Sequence, residues 1–295
     1  MSKEKTCETC TDSSCSANQK RSDESEKDYQ DRQKLSLRMC SIKHKIIVLS
    51  GKGGVGKSTV AVNLAVSLAM KGAKVGLVDV DIHGPSIPTL LNLEGHEPEA
   101  SKNALLPIPY TFDHHMIKVM SIGFFFQGQQ NAAVIWRGPL KMIAIRQFLS
   151  DVEWGELDYL IIDSPPGTGD EPLSICQLIE GMDGAVIVTT PQELAIVDVK
   201  RSITFCNQLK LPVLGVIENM SGMICPKCGE TIEYYKTGSG QRMAAEMNVP
   251  FLGRVPIDPQ VMLFGDEGKP FVSYMIDSEA AKAFEKIVKP IMDLK

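Results

Sequence analysis

No stretch of this 295-residue chain approaches the roughly 20 consecutive apolar residues that a helix needs to cross a bilayer. Its first 40 residues carry charges of both signs and lack the apolar core of a signal peptide. Positive charge is not in excess either. The formal net charge is −5, against the basic balance usual in general nucleic-acid binders. Internal repeats and long low-complexity tracts are missing too. These absences lead to the expectation of a cytoplasmic protein that engages neither nucleic acid nor a membrane. They also bear on the eight cysteines, because a reducing compartment favours metal binding or redox chemistry over structural disulfides.

What is present divides near His44. Residues 1–41 contain Cys7, Cys10, Cys15 and Cys40 but almost no aliphatic side chain before Leu35. A segment that buries so little apolar surface cannot offset its ordering entropy, so it is expected to be a flexible tail. Residues 42–295 carry the remaining pattern, with 43% hydrophobic and 23% charged residues over the whole chain, as in ordinary globular proteins.

Short apolar strands are expected at Lys45 to Leu49, Lys74 to Val78, Ile117 to Ile122, Tyr159 to Ile162, Ala185 to Val188 and Val213 to Ile217. Helical spacing falls between them, at Lys57 to Lys71, Leu140 to Leu149, Pro172 to Ile179 and Leu194 to Leu209. Strands without regular polar alternation are buried on both faces. The expected fold is therefore α/β, a doubly wound, mostly parallel sheet flanked by helices.

The run Gly51-Lys52-Gly53-Gly54-Val55-Gly56-Lys57-Ser58-Thr59 follows the first strand after Ser50 and opens the first helix. That is the setting of a phosphate-binding P-loop. Glycines let the backbone curl so that its N–H groups face phosphate oxygens, and the helix N-terminus adds favourable partial charge. Lys57 is expected to reach the β- and γ-phosphates and Ser58 to coordinate Mg2+, with ATP as the nucleotide.

Acidic residues complete the pattern. Asp79 and Asp81 end the second strand, two residues apart and so able to share a face. Asp81 is the candidate for orienting an attacking water, and Asp79 stands nearer the metal shell, although ordinary turn aspartates compete with that reading. Leu160-Ile161-Ile162-Asp163 is an apolar strand ending in an acid, the Walker B arrangement that holds magnesium through water. Gly167, four residues on, could offer its amide to the γ-phosphate.

Cys225-Pro226-Lys227-Cys228 forms a second chemical centre. Two thiolates at this spacing suit one metal or cluster but fall short of a closed four-ligand site. A zinc knuckle, a redox pair and an iron–sulfur cluster shared between two subunits all compete. Three further cysteines, Cys7, Cys10 and Cys15, fall within nine residues, with Cys40 downstream. They could hold another cluster or feed the first. Cys176 and Cys206 lie in apolar helices and read as packing residues. His83, His114 and His115 lack a ligand pattern and receive no role.

Lys52 beside the first glycine resembles the deviant Walker A motif of the SIMIBI-type dimerising ATPases. That resemblance implies a homodimer in which this lysine reaches the partner's nucleotide. More broadly, GKGGVGKST, DVDIHGPSIP, WRGPLKMIAIRQFL, WGELDYLIIDSPPGTGDEPLS and VIENMSGMICPKCGE resemble the Mrp/ApbC family of iron–sulfur cluster carrier ATPases, from about Ile42 to Val288. The resemblance implies slow ATP hydrolysis and a labile 4Fe–4S cluster held by Cys225 and Cys228 of both subunits. It further implies cluster donor proteins upstream and apo iron–sulfur proteins as recipients. Asn219, Pro256 and Asp258 sit where this group recognises adenine. The tail cysteines depart from the C-x13-C-x2-C-x5-C motif of longer members, since the upstream cysteine is missing and the last gap is shorter.

Three rivals remain. A ParA/MinD-type positioning ATPase shares Lys52, Lys57 and Asp163, yet has no need of CPKC. The stretch Ser278 to Lys295, charged and broken by Pro290, makes a poor membrane anchor. An electron donor like nitrogenase reductase places one cysteine on each of two distant loops. An ATPase with structural zinc at the cysteine pair is the third. Because CPKC follows Asn219 within a few residues, nucleotide binding is expected to alter the exposure of whatever the thiols hold.

Overall fold

The computed structural model describes residues 20, 22, 24–101, 104–125, 138–225, 228, 230–233 and 238–294. Cys7, Cys10 and Cys15, and with them most of the expected tail, lie outside these residues. In chain order the elements begin with α1 (Glu26–Cys40), β1 (Ile42–Ser50), α2 (Lys57–Met70), β2 (Val75–Asp79) and α3 (Ile87–Leu90). Next come β3 (Ile108–Phe112), β4 (His115–Ser121), α4 (Gly138–Asp151), β5 (Leu157–Asp163), α5 (Asp170–Leu178), β6 (Gly184–Thr189) and α6 (Glu193–Gln208). The chain continues through β7 (Val213–Glu218), β8 (Met223–Ile224), β9 (Thr231–Ile232), α7 (Ser239–Glu246) and β10 (Phe251–Arg254). It closes with α8 (Pro259–Asp266), α9 (Phe271–Tyr274) and α10 (Glu279–Met292).

Eight strands form one sheet in the order β10-β7-β6-β1-β5-β2-β4-β3. Every neighbouring pair is parallel except β3 with β4. This is the expected doubly wound architecture, and its central strands are buried on both faces because helices cover both sides. The outlying β3 was not expected. Its burial alternates residue by residue, as in an edge strand with one wet face, which is the reason continuous apolar runs fail to reveal it.

Parallel pairing brings the strand C-termini to one edge of the sheet. Asp79 pairs with Asp163, and Val48 of β1 pairs with Asp163 from the other side. Thr189 pairs with Glu218 on the far half. The loops that follow these ends therefore converge where the strand order reverses, the usual ligand crevice of such sheets.

The tail expectation needs correction for residues 26–40. Ser25 caps α1 by accepting the Asp28 amide at 3.1 Å, and Leu35 and Met39 are buried against the body of the domain. Lys34 pairs with Asp151 at 2.5 Å and Arg146 with Asp28 at 2.8 Å, which ties α1 to α4. Two buried residues spaced i, i+4 are enough to dock a helix whose other faces are polar. At the far end, α10 turns Ala280, Phe284, Ile287, Val288 and Ile291 into the core against α2 and β10.

Candidate functional site

The phosphate loop leaves β1 at Ser50 and enters α2 at Lys57. Gly54 and Gly56 hold φ of 77° and 80°, left-handed values that glycine adopts without a steric penalty. Gly56 has a second constraint, since a Cβ there would collide with Asn219 Nδ2. Asn219 itself donates to the Val55 carbonyl at 2.9 Å, so the loop after β7 is bonded directly to the phosphate loop.

Beneath the loop lies a compact group of charges. Lys57 Nζ donates to Asp163 Oδ1 at 2.5 Å and lies 3.2 Å from Ser58 Oγ. Lys57 is 7% exposed and Asp163 fully buried. Burial pushes the Asp163 carboxyl above its ordinary range, opposed by the Lys57 charge. Its Oδ2 is buried without a hydrogen-bond partner, with the Ser58 hydroxyl close by. An unsatisfied carboxylate oxygen beside a hydroxyl at a phosphate loop is an oxygen donor set suited to a hard divalent cation such as magnesium.

Asp79 sits one strand over and deeper. Burial, then the neighbouring Asp163 charge, pushes its pKa up to about 8. Its oxygens accept the Asp81 amide at 3.1 Å, the Ser121 hydroxyl at 2.9 Å and the Ile87 amide at 3.3 Å. Asp79 is thus a bracing group behind the cavity. Asp81, by contrast, lines the cavity, and its Oδ1 accepts the amides of His83 and Gly84 at 3.1 and 3.2 Å.

The cavity encloses about 300 Å³ and is bounded by the phosphate loop, Asp81, Gly84, Ser86, Leu90 and Pro166. Gly51 belongs to the same loop, but a Cβ on it would collide with the Asp198 backbone at 2.5 Å, so it serves close packing against α6. Lys52 Nζ donates to Gln192 Oε1 at 3.0 Å, on the side of the loop facing α6. The Gly167 N–H donates to the Ser50 carbonyl at 2.7 Å, which bonds the loop after β5 to the end of β1. Among the described residues Asn219, Pro256 and Asp258 are not part of the cavity wall. Asp258 caps α8 by accepting the Gln260 amide at 2.9 Å, and Pro256 precedes Ile257, whose amide bonds the Gly222 carbonyl at 2.7 Å.

Cys225 and Cys228 lie in the connection between β8 and β9. This two-stranded ribbon pairs Met223 with Ile232 and Ile224 with Thr231. Cys228 is exposed and Cys225 half-buried, while the Cys225 amide donates to the Glu230 carbonyl at 2.9 Å. Among the described residues no three histidine, cysteine or acidic side chains group closely enough to hold a metal. Among the described residues this centre thus has two thiols and no third ligand. Cys206 is buried and Cys176 partly so, and burial raises their thiols to about 12 and about 11, as packing cysteines require. Cys40 is exposed at the end of α1.

A comparison with known families decides what this assembly is. The model of a ParA-type family, described as the NUBPL iron-transfer P-loop NTPase, matches residues 41–292. The chain belongs to that family. Among the family's relatives, an iron–sulfur cluster carrier protein of Methanocaldococcus jannaschii is 52% identical over 260 residues, covering 88% of each chain. A cytosolic Fe-S cluster assembly factor NUBP2 homolog of Nematostella vectensis is 48% identical, covering 85% of this chain and 93% of its own. A nucleotide-binding protein of Archaeoglobus fulgidus, solved with ADP and with cobalt found in it, superposes with a TM-score of 0.72 at 42% identity, covering 81% of this chain and 92% of that one. The cell division ATPase MinD of Pyrococcus furiosus shares the fold at a TM-score of 0.60 and 25% identity, covering 85% and 99%.

Several residues of the site were not singled out by the sequence. Gln192 holds Lys52, and the buried carboxylate of Glu218 gathers the chain around the cysteine ribbon. His83, given no role from sequence, lies 3.2 Å from Glu171 and 2.7 Å from Lys141, joining the loop after β2 to α4 and α5. Glu218 ends an apolar strand just before Asn219, and that placement was the one clue available.

Proposed function

We propose that this chain is an ATP-hydrolysing carrier that holds a labile 4Fe–4S cluster between two copies of itself and passes it to apo iron–sulfur proteins. The observation that carries this reading is the half-complete thiol site. Cys225 and Cys228 stand on an exposed ribbon, without a third ligand among the described residues, on the backbone that leaves β7 through Asn219, which bonds to the nucleotide loop. A closed site takes four ligands, and a two-fold axis supplies the missing pair.

In this reading the amides of the Gly51–Gly56 loop and the N-terminus of α2 hold the phosphates, with the Lys57 ammonium on the β- and γ-phosphates. Ser58 and Asp163 hold magnesium, which when bound neutralises phosphate charge. Asp81, on the cavity wall, orients the water that attacks the γ-phosphorus. The bond to the β-phosphate oxygen breaks, and ADP leaves with its electron pair. Lys52 must leave Gln192 to reach the partner's nucleotide. The Gly167 amide must leave Ser50 to meet a γ-phosphate, so the triphosphate competes with a hydrogen bond already present. Asn219, Pro256 and Asp258 recognise adenine.

The likeness to proteins named cytosolic assembly factors supports a cytosolic role with cluster donors and apoproteins as partners. Among the described residues no helix is long and apolar enough to cross a membrane. Anaerobic reconstitution with iron and sulfide, with metal analysis, tests the proposal. The wild type gains broad visible absorption and activates an apoprotein, and Cys225→Ala does neither. Zinc bound between the subunits, without that absorption, contradicts the carrier reading.

A further inference from the structure

We propose that Glu218 is a positioning residue, a buried clasp that gathers both ends of the cysteine excursion and ties them to the nucleotide loop. This rests on the reading that Cys225 and Cys228 are the cargo ligands, but the clasp is testable on the thiols alone.

Glu218 is the last residue of β7 and is fully buried. The chain departs from it through Asn219 and Ser221, runs through the cysteine ribbon, and returns at Gly238 to start α7. Both ends meet on the one carboxylate. Ser221 donates its hydroxyl to Oε1 at 2.5 Å at the departing end. Gly238 donates its amide to Oε1 at 3.1 Å, and Gly240 donates to Oε2 at 2.6 Å, at the returning end. Arg254 Nε stands 3.5 Å from Oε1 and supplies a positive charge. The fit is close, since a Cβ on Gly240 would lie 2.8 Å from Glu218 Oε2.

The same point is joined to the nucleotide side. Asn219, one peptide away, donates to the Val55 carbonyl inside the phosphate loop. Met220 follows with a left-handed φ of 57°, and its Cε approaches the face of Gly56 where a Cβ would point. Beyond it the Ser221 amide bonds the Val255 carbonyl at 2.9 Å, and the Ile257 amide bonds the Gly222 carbonyl at 2.7 Å. The start of the cysteine excursion is thereby laced to the segment that bears Pro256 and Asp258.

A buried carboxylate is tolerated only while its hydrogen bonds are made, so the bonds at the two ends hold or fail together. A displacement of Asn219 by nucleotide therefore moves the two ends as one body and carries the thiols with them. Without the carboxylate the excursion keeps its ribbon but loses the shared anchor. Coupling between the sites then fails while each site remains. Spatial continuity alone does not demonstrate coupling, so the test measures it directly.

The experiment uses the full chain, reduced and free of cargo. Iodoacetamide labelling of Cys225 and Cys228 is timed by peptide mass, in ADP and in a non-hydrolysable ATP analogue. Cys40 serves as the reference thiol in every sample. In the wild type the two nucleotides change the labelling rate by about fivefold or more, whereas in Glu218→Gln the rates agree within about twofold at unchanged nucleotide affinity. Ser221→Ala removes only the departing anchor and gives an intermediate ratio, and it decides the matter should Glu218→Gln not fold. A wild-type ratio retained in Glu218→Gln, or in Ser221→Ala where that variant decides, overturns the clasp. So does a wild type indifferent to nucleotide. Neither result touches cluster binding itself, which the reconstitution experiment judges separately.

Discussion

The nucleotide loop and the cysteine ribbon lie one short connection apart, yet they are built in opposite ways. The loop stands on β1 and β5, long central strands buried on both faces, and its lysine and aspartate are sealed beneath it. The ribbon has two residues per strand, exposes Cys228, and leaves Ile232 40% exposed. Few buried contacts and short ladders place a segment at the low end of local stability, while buried central strands sit at the high end. A site that must bind the same nucleotide repeatedly gains from rigidity. One that must release its cargo gains from an exposed, weakly anchored mount. Glu218 stands at the boundary, the last residue of the buried strand before the cysteine excursion begins.

This contrast implies that damage at one region should register mainly in that region's own assay. The largest effect is expected from Cys228→Ala, which loses cluster retention entirely. Because the side chain is exposed, its folding stability by urea titration moves within about 0.5 kcal/mol. A marked loss of stability would show that the ribbon is structural after all. Next comes Lys57→Ala. Losing a charge-assisted contact to phosphate weakens ATP binding by about 10- to 100-fold, measured by calorimetry. Cobalt–thiolate absorption at the cysteines stays intact in that variant, while cluster transfer to an apoprotein slows. A normal transfer rate would cut the link between the two regions.

A smaller effect concerns pH. Asp79 is held near 8 in the fold, against about 3.9 for an unfolded aspartate. Between these values the folded state keeps a proton that the unfolded state gives up, so this residue's contribution to stability falls as pH rises from about 4 to 8. Asp79→Asn should therefore flatten the pH slope of urea stability relative to wild type, and an unchanged slope would show that Asp79 is ionised in the fold. Smallest of all, Gln192→Ala frees Lys52 from its hydrogen bond. Stability moves by no more than about 0.5 kcal/mol, while hydrolysis by the dimer rises as the lysine becomes available.

The rigid region was the legible one. Apolar runs such as KIIVL and LIID, a glycine loop and a helix rich in alanine and leucine are local signals, and the elements they forecast lie within a few residues of those observed. The less local features were hidden. The α1 segment looks like a tail because only Leu35 and Met39 are buried, and the ion-pair partner of its Lys34, Asp151 on α4, lies 117 residues away. Strand β10 is four residues long, too short to display a period. The bond of the Gly167 amide to Ser50 depends on how β1 and the loop after β5 meet in space, which no local signal reports. Glu218 acts through backbone amides some 20 residues downstream, and no spacing rule anticipates such contacts. The cysteine pair and its shortfall of a four-ligand site were both plain in the sequence, and the described residues supply no third ligand.

The most direct measurement of the central claim is the native mass of the anaerobically reconstituted protein. The account predicts two chains carrying one 4Fe–4S cluster, with Cys228→Ala yielding no cluster-bearing species. A cluster retained by a single chain, or a dimer that holds zinc and no sulfide, would contradict it.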